Sequence, residues 1–218
     1  MAKVHTYLQH ESLYRGEGVL KKRASAKILL CGGGALGSWL TDLLARQGYW
    51  ALTVLDMDKV EDANFGTQMF GRADVGRSKA AQIAANIFRR IGVKVEALTK
   101  KVTSSNVTSL VKGYDLVVDL FDNGDSRRLL HEACKDKNIA CVHGGTAAMG
   151  FFEVRWNEDY IVPRTTGDLE DAPCDYPMAA NLVMMCVAAV AESINRYIDS
   201  DEKLNTEFWL KSMSLDMS

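Results

Sequence analysis

Proline is scarce in this chain, paired cysteines are missing, and no apolar run is long enough to span a bilayer. Only three prolines occur in 218 residues, all between Pro163 and Pro177, so a single conspicuous loop is expected there. No Cys-x-x-Cys pair exists, which excludes the paired-knuckle zinc site on spacing alone, and no zinc is expected. The five cysteines (Cys31, Cys134, Cys141, Cys174 and Cys186) are irregularly spaced in a chain large enough to fold without disulfide staples. That usage fits a reducing cytoplasm. The formal net charge of -2 shows no basic excess for a phosphate backbone, so nucleic acid is not expected as the main partner. The longest apolar run, Leu182 to Ala191, is about half of the roughly 20 residues that span a membrane and reads as a buried helix. The first 18 residues are polar where an export signal needs an apolar stretch. Repeats and low-complexity tracts are also missing.

What is present is a regular alternation of short apolar runs and helical patterns. Lys27 to Cys31 is compact and β-prone, and glycines follow at once. A helical stretch from Ala35 to Gly48 precedes Leu52 to Leu55, and another from Arg77 to Ile91 precedes Val93 to Leu98. Asp115 to Asp119 reads as a further strand, Ser126 to Lys137 as a helix and Ile139 to His143 as the next strand. Right-handed crossovers between such units give a mainly parallel sheet. Beyond it, Gly150 to Trp156 alternates and leads through a charged turn into Tyr160 to Val162; both are expected to add antiparallel strands. A long helix from about Met178 to Ile198 and an alternating segment from Glu207 to Leu215 close the chain. The expectation is an α/β, Rossmann-like three-layer fold, mainly parallel with antiparallel C-terminal strands. Residues 1–26 form a helical extension to one nucleotide-binding domain over residues 27–218.

The first chemical signal is Gly32-Gly-Gly34-Ala35-Leu-Gly37, set between a strand and a helix where glycine lets the backbone approach a phosphorylated ligand. Asp56 ends the second strand about 20 residues on, where a carboxylate accepts hydrogen bonds from ribose hydroxyls. A nucleotide site follows. These features alone are shared with nicotinamide-dependent oxidoreductases, and that reading stays open at this point.

The following residues narrow it. Asp56-Met-Asp58-Lys-Val-Glu61-Asp-Ala-Asn64-Phe-Gly-Thr67-Gln68 resembles the DxDxVxxxNxxRQ signature of the ubiquitin-activating (ThiF/MoeB/HesA-like) enzymes. Asp74-Val-Gly-Arg77-Ser-Lys79 matches that family's helix-start lysine, and Asp119-Leu-Phe-Asp122-Asn123-Gly-Asp-Ser-Arg127 matches its Asp-Asn pair after the fourth strand. The resemblance runs from about Lys27 to Ile198. It implies that Gly32, Gly34, Ala35 and Gly37 form the adenosine-side turn and that Asp56, with Asp58 beside it, serves the ribose side. Asn64, Gln68 and Lys79 would serve the phosphates, and Asp122 would ligate or orient Mg²⁺, with Asn123 next to it. Mg²⁺ takes carboxylate and phosphate oxygens and keeps several waters, so one well-placed Asp suffices, and a lysine steadies charge developing at phosphorus. The implied reaction is Mg-ATP-dependent adenylation of the C-terminal carboxylate of a small ubiquitin-like or sulfur-carrier protein ending in Gly, with pyrophosphate leaving.

Thr67 departs from the family, which carries arginine before the glutamine; Arg72 and Arg77 lie nearby as replacements. Arg15 is the candidate for the family's N-terminal arginine that reaches the partner subunit's site. Cys174 sits where the family often carries a loop cysteine able to form a thioester or pass sulfur. A nearby helix N-terminus would activate it, whereas Asp171 and Asp175 would oppose ionisation. The other four cysteines read as core. His143 with Gly144-Gly145 would border the substrate's tail or form a turn, and His131 has no spaced metal partner. The resemblance also implies a homodimer using part of the long helix. Two alternatives stand beside adenylation: an NAD-dependent oxidoreductase, and a non-catalytic family member that binds nucleotide without turning it over.

Overall fold

In the computed structural model, which describes residues 6–148, 150–162 and 178–218, the parallel sheet forms for a simple reason. Each central strand is apolar on both sides, so it must be covered on both faces. In β1 (Lys27–Cys31), Ile28 and Leu30 point to one core, and Leu29 and Cys31 point to the other. β2 (Ala51–Leu55), β3 (Glu96–Leu98), β4 (Leu116–Asp119) and β5 (Ala140–Ala147) join it in parallel, in the order β3-β2-β1-β4-β5. β6 (Phe151–Trp156), β7 (Thr206–Trp209) and β8 (Ser214–Met217) extend the sheet antiparallel to eight strands.

Before β1 come α1 (Gln9–Arg15) and α2 (Glu17–Ser25). α3 (Ala35–Arg46), α4 (Lys79–Ile91) and α7 (Ala180–Ser200) cover one face of the sheet, while α5 (Val107–Val111) and α6 (Gly124–Lys137) cover the other. The result is the three-layer α/β fold expected from the sequence. α4 is bounded by Ser78, whose hydroxyl accepts from the Ala81 N–H, and by Gly92 in the left-handed conformation. α1 and α2 are pinned to α7 by Arg23, a fully buried arginine. It donates to both Asp199 oxygens, at 2.9 and 2.6 Å, and to Glu11 at 2.9 Å.

Several sequence-read boundaries shift. The strand expected over Val93 to Leu98 is only Glu96–Leu98, because Val93 and Val95 bury against the core as a connection rather than pairing with β2. Tyr160 to Val162 is not a strand: Tyr160 turns inward to stack on His143, while Ile161 is exposed. Glu207 to Leu215 is not one segment but a β7–β8 hairpin that reverses through residues 210–213. Alternation continues across such a reversal, so periodicity alone did not reveal it. Cys174 and the three prolines lie outside the described residues.

The position of β1 between β2 and β4 sets the site. Chain connections run away from this point in both directions, leaving a crevice beyond the strands' carboxyl ends. The register holds those ends level, with Cys31 opposite Leu55 on one side and Asp119 on the other.

Candidate nucleotide site

Two strand-to-helix turns meet at this crevice. In the β1–α3 turn, Gly32 has φ 101°, a region costly for residues with a Cβ. Its N–H donates to the Leu55 carbonyl at 2.8 Å. A Cβ on Gly37 would lie 1.7 Å from the Gly32 carbonyl oxygen, so the first turn of α3 closes on the loop only without a side chain. A Cβ on Gly32 would meet the Leu120 carbonyl at 2.8 Å, which shows how tightly this turn lies against the β4–α6 loop carrying Asp122. Gly34 is different, since a Cβ there meets nothing within 4 Å, and the backbone is open to an approaching group.

Asp56 closes the other side. Its Oδ2 accepts the Gly33 N–H and its Oδ1 accepts the Asp58 N–H, each at 2.7 Å. Burial pushes this carboxyl above its ordinary range, opposed by those two N–H groups and by the Lys79 charge. Each oxygen keeps a lone pair for a hydroxyl donor. The chain then pairs residues 58–60 with 76–79: Val60 N–H donates to the Arg77 carbonyl at 2.8 Å and Lys79 N–H to the Asp58 carbonyl at 2.9 Å. Lys79 therefore starts α4 beside Asp58, its ammonium 3.5 Å from the carboxylate.

Asn64 is buried, and its Oδ1 accepts the Glu61 N–H at 2.9 Å, so this oxygen shapes its own short helical turn. Gln68 carries a buried Oε1 with no partner among the described residues, an acceptor available to a donating ligand. The segment around Thr67 is tied to α3 by the Trp39 indole, which donates to the Thr67 carbonyl at 2.9 Å, and by Ser38, which accepts from Met69 at 3.1 Å. Sequence reading missed both; the one available signal was a serine placed on a buried helix face directly after Gly37.

Asp122 is exposed, with the Asn123 amide at 3.4 Å as its hydrogen-bond partner. Asn123 itself caps α6, accepting the Ser126 N–H at 2.9 Å. Behind Asp122 lies a buried polar group that the sequence left largely unread. Asp119 accepts from His143 Nδ1 at 2.8 Å and from the Phe121 N–H at 3.1 Å. Arg127 lies 3.5 Å from Asp119 and donates to the Phe121 carbonyl, the Gly144 carbonyl and the Tyr160 hydroxyl. Burial alone would raise the Asp119 carboxyl, but the Arg127 charge and the His143 hydrogen bond outweigh it and hold the group below its usual range.

His143 and both glycines lie inside β5 rather than in a turn, and His143 stacks on Tyr160 at 3.7 Å. Arg15 pairs with Glu192 of α7 at 2.5 Å and with Glu11 and Asp199 at longer range. None of these contacts involves the glycine turn or Asp122. Cys31, Cys134, Cys141 and Cys186 are buried and free, and burial pushes the Cys186 thiol up to about 12. Arg72 and Arg77 are exposed, and neither guanidinium has an ion-pair partner among the described residues.

The crevice fits a nucleotide through the Gly34 opening and the Asp56 lone pairs. It fits Mg²⁺ through the exposed Asp122 carboxylate, of which one oxygen accepts from the Asn123 amide. Among the described residues no group of three His, Cys, Asp or Glu side chains is arranged to hold a metal. The remaining ligands have to come from phosphate and water, which is the habit of Mg²⁺. No helix among the described residues is long and apolar enough to cross a membrane.

Known proteins share sequence and fold with this chain. The chain is 38% identical over 123 residues to a SAMP-activating enzyme E1 of Haloferax volcanii, covering 55% of this chain and 45% of that protein. It is 35% identical over 136 residues to the tRNA threonylcarbamoyladenosine dehydratase of Escherichia coli, covering 61% of this chain and 50% of that one. The chain thus matches about half the length of these relatives. Among solved structures, Escherichia coli MccB with ATP superposes with a TM-score of 0.82 at 16% identity, over 99% of this chain and 71% of that one, which shows a shared fold. The ThiF family profile matches residues 8–198, and with the glycine turn, the Asp56 signature, Lys79 and Asp122 in one crevice, the chain belongs to the ThiF family.

Proposed function

We propose that this chain binds Mg-ATP at the β1–β4 crevice and joins AMP to the C-terminal carboxylate of a small ubiquitin-like or sulfur-carrier protein ending in glycine. The observation that carries the reading is the close packing of the Gly32 turn against the Leu120 carbonyl, two residues before Asp122. It brings a nucleotide-side turn and an exposed carboxylate to one edge, with Asp56, Asp58 and Lys79 on the other flank.

In this reading the Gly32, Gly34, Ala35 and Gly37 backbone and Asp56 hold the nucleoside. Asn64 and Gln68, through their amide N–H₂ groups, and Lys79 line the phosphates, and Asp122 with Asn123 holds the cation. A carboxylate is a poor acyl electrophile until joined to AMP, and bound Mg²⁺ would supply charge neutralisation for the departing pyrophosphate. The chain's own task is positioning: it aligns the α-phosphorus with the incoming carboxylate and keeps Lys79 on the phosphates. Arg77, two residues before Lys79 and unpaired, is the better replacement for the arginine missing at Thr67, because its backbone is fixed against Val60. The reading carries a homodimer in the cytoplasm, with Arg15 released from Glu192 to serve the partner's site. It also carries onward thioester or sulfur transfer at Cys174.

Calorimetric titration with ATP, with and without Mg²⁺, and with NAD, tests the site in wild type and Asp122→Ala. Expected is ATP binding that Mg²⁺ tightens in wild type but not in the variant. NAD binding instead, or ATP binding indifferent to Mg²⁺ and Asp122, would sink the proposal. Pyrophosphate exchange dependent on an added Gly-ending carrier would then establish the substrate. Exchange driven by tRNA would transfer the reading to the substrate class named for the dehydratase relative.

A further inference from the structure

Each nitrogen of the Arg127 guanidinium donates to an oxygen of the protein itself. Nε donates to the Phe121 carbonyl at 2.6 Å, Nη2 to the Gly144 carbonyl at 2.8 Å and Nη1 to the Tyr160 hydroxyl at 3.1 Å. The Asp119 carboxylate lies 3.5 Å from Nη1. Three of the five N–H donors of this guanidinium, one on each nitrogen, are thus committed to protein oxygens. They join three separate pieces of chain, the β4–α6 loop, β5 and the segment after β6, with a planar fork that lysine lacks.

The surroundings are shaped for it. A Cβ on Gly145 would come within 3.3 Å of Nη2, so β5 leaves room for the fork there. Asp119, opposite His143 in the β4–β5 register, is held by His143 Nδ1, and His143 Nε2 is held in turn by Asn157 at 2.8 Å. Tyr160 stacks flat on the same imidazole, 9° from parallel. Every group that touches the guanidinium is itself tethered.

The consequence falls on Asp122. The residue before it is held on both sides of its Cα, with Phe121 N–H on Asp119 and Phe121 C=O on Arg127. The residue after it is held as the α6 cap, and the Arg127 N–H donates back to the Asn123 carbonyl at 3.3 Å. Asp122 is thus an exposed side chain on a backbone clamped from both sides.

We propose that Arg127 is a positioning residue that fixes the Asp122 carboxylate by clamping the Phe121 carbonyl to β5 and to Tyr160, with Asp119 and His143 holding the clamp. This rests on the Mg-ATP reading above. A group that orients a metal-binding carboxylate through a neighbour typically changes metal affinity about 10–100-fold when lost. The main effect is expected on the cation, because the hydrogen bonds of the Arg127 guanidinium go to the Phe121 and Gly144 carbonyls and the Tyr160 hydroxyl, and not to the glycine turn or Asp56.

The test is titration of the full chain with ATP in EDTA and in Mg²⁺, for wild type, Arg127→Lys and Tyr160→Phe, with thermal unfolding run on each. Expected is a wild-type gain in ATP affinity on adding Mg²⁺ that Arg127→Lys loses about tenfold or more, while affinity in EDTA is unchanged. A purely structural arginine would lower the unfolding temperature and move both affinities together, or leave the Mg²⁺ gain intact; either result overturns the inference. Tyr160→Phe keeps the ring on His143 and removes one anchor, so a smaller loss confined to the Mg²⁺ gain is expected. If Arg127→Lys does not fold, an undiminished Mg²⁺ gain in Tyr160→Phe overturns the proposal and a selective loss supports it. A wild type with no Mg²⁺ gain at all overturns the Mg-ATP reading itself, an outcome distinct from a gain that survives in the variants.

Discussion

The two turns that meet at the crevice are made of opposite materials. The β1–α3 turn is built by leaving side chains out: Gly32 and Gly37 work because a Cβ would strike the Leu120 and Gly32 carbonyls. The β4–α6 turn is built by putting side chains in, through Asp119, Asn123 and Arg127, with His143 and Tyr160 brought from distant strands and loops. The first needs steric room and backbone donors, which meet the Leu55 carbonyl and the Asp56 carboxylate. The second needs buried charge, which is stable only while each partner is present.

That contrast predicts the largest effect at Asp119. Asp119→Ala leaves Arg127 buried without its carboxylate, a loss of about 3–5 kcal/mol for a broken buried pair, readable as a lower denaturant midpoint. The same residue gives an acid limb. Its carboxyl is held below the ordinary value in the folded chain. The stabilisation is therefore full above the unfolded carboxylate value of about 3.9 and disappears as pH falls through the folded value. Urea midpoints between pH 6 and pH 3 in wild type and Asp119→Asn measure it. The variant should show a shallower acid decline, and equal declines would remove Asp119 from the account.

Next is Gly37→Ala, where the added methyl overlaps a carbonyl. Overpacking costs about 1–3 kcal/mol, with this backbone clash at the upper end, and the damage should reach ATP binding because the turn itself has to open. Scanning calorimetry and ATP titration on the same sample check both. Asp56→Ala is expected to lower both readouts: the Gly33 and Asp58 N–H groups lose their buried acceptor, at about 1–3 kcal/mol of stability, and the lost bonds to ligand hydroxyls cost about 1.5–3 kcal/mol, or roughly 10–150-fold in nucleotide affinity. Smallest in stability is Gly34→Ala: a Cβ there meets nothing, so the one cost is the backbone at φ -79° and ψ -141°, outside the main regions for L residues. The unfolding free energy should fall by about 1 kcal/mol. Any fall in ATP affinity then reports the ligand's own approach to this backbone, and an unchanged affinity would move the nucleotide off Gly34.

The same contrast explains what was legible beforehand. Alternating buried runs and helical stretches specify the three-layer order, since strands apolar on both faces have to be covered twice. The glycine turn and Asp56 were legible because their meaning lies in a few adjacent residues and one spacing. The Tyr160 to Val162 segment misled, because β-prone residues in a short run say nothing about whether the ring is needed by a histidine elsewhere. Asn64 and Asn123 were read by motif alone, whereas their oxygens cap local turns.

By itself, then, the chain's order of residues determined a parallel α/β sheet, the bare turn between β1 and α3, and the acid at the end of β2. These follow from steric allowance and burial pattern, both properties of short stretches. Only the tertiary structure decided that Asp122 stands exposed on a clamped loop. The Arg127 fork reaches Tyr160 across 33 residues and Gly144 across 17, and Asp119 finds His143 across 24. A buried charge network of that kind has no local signature, because its stability comes from partners that only folding brings together.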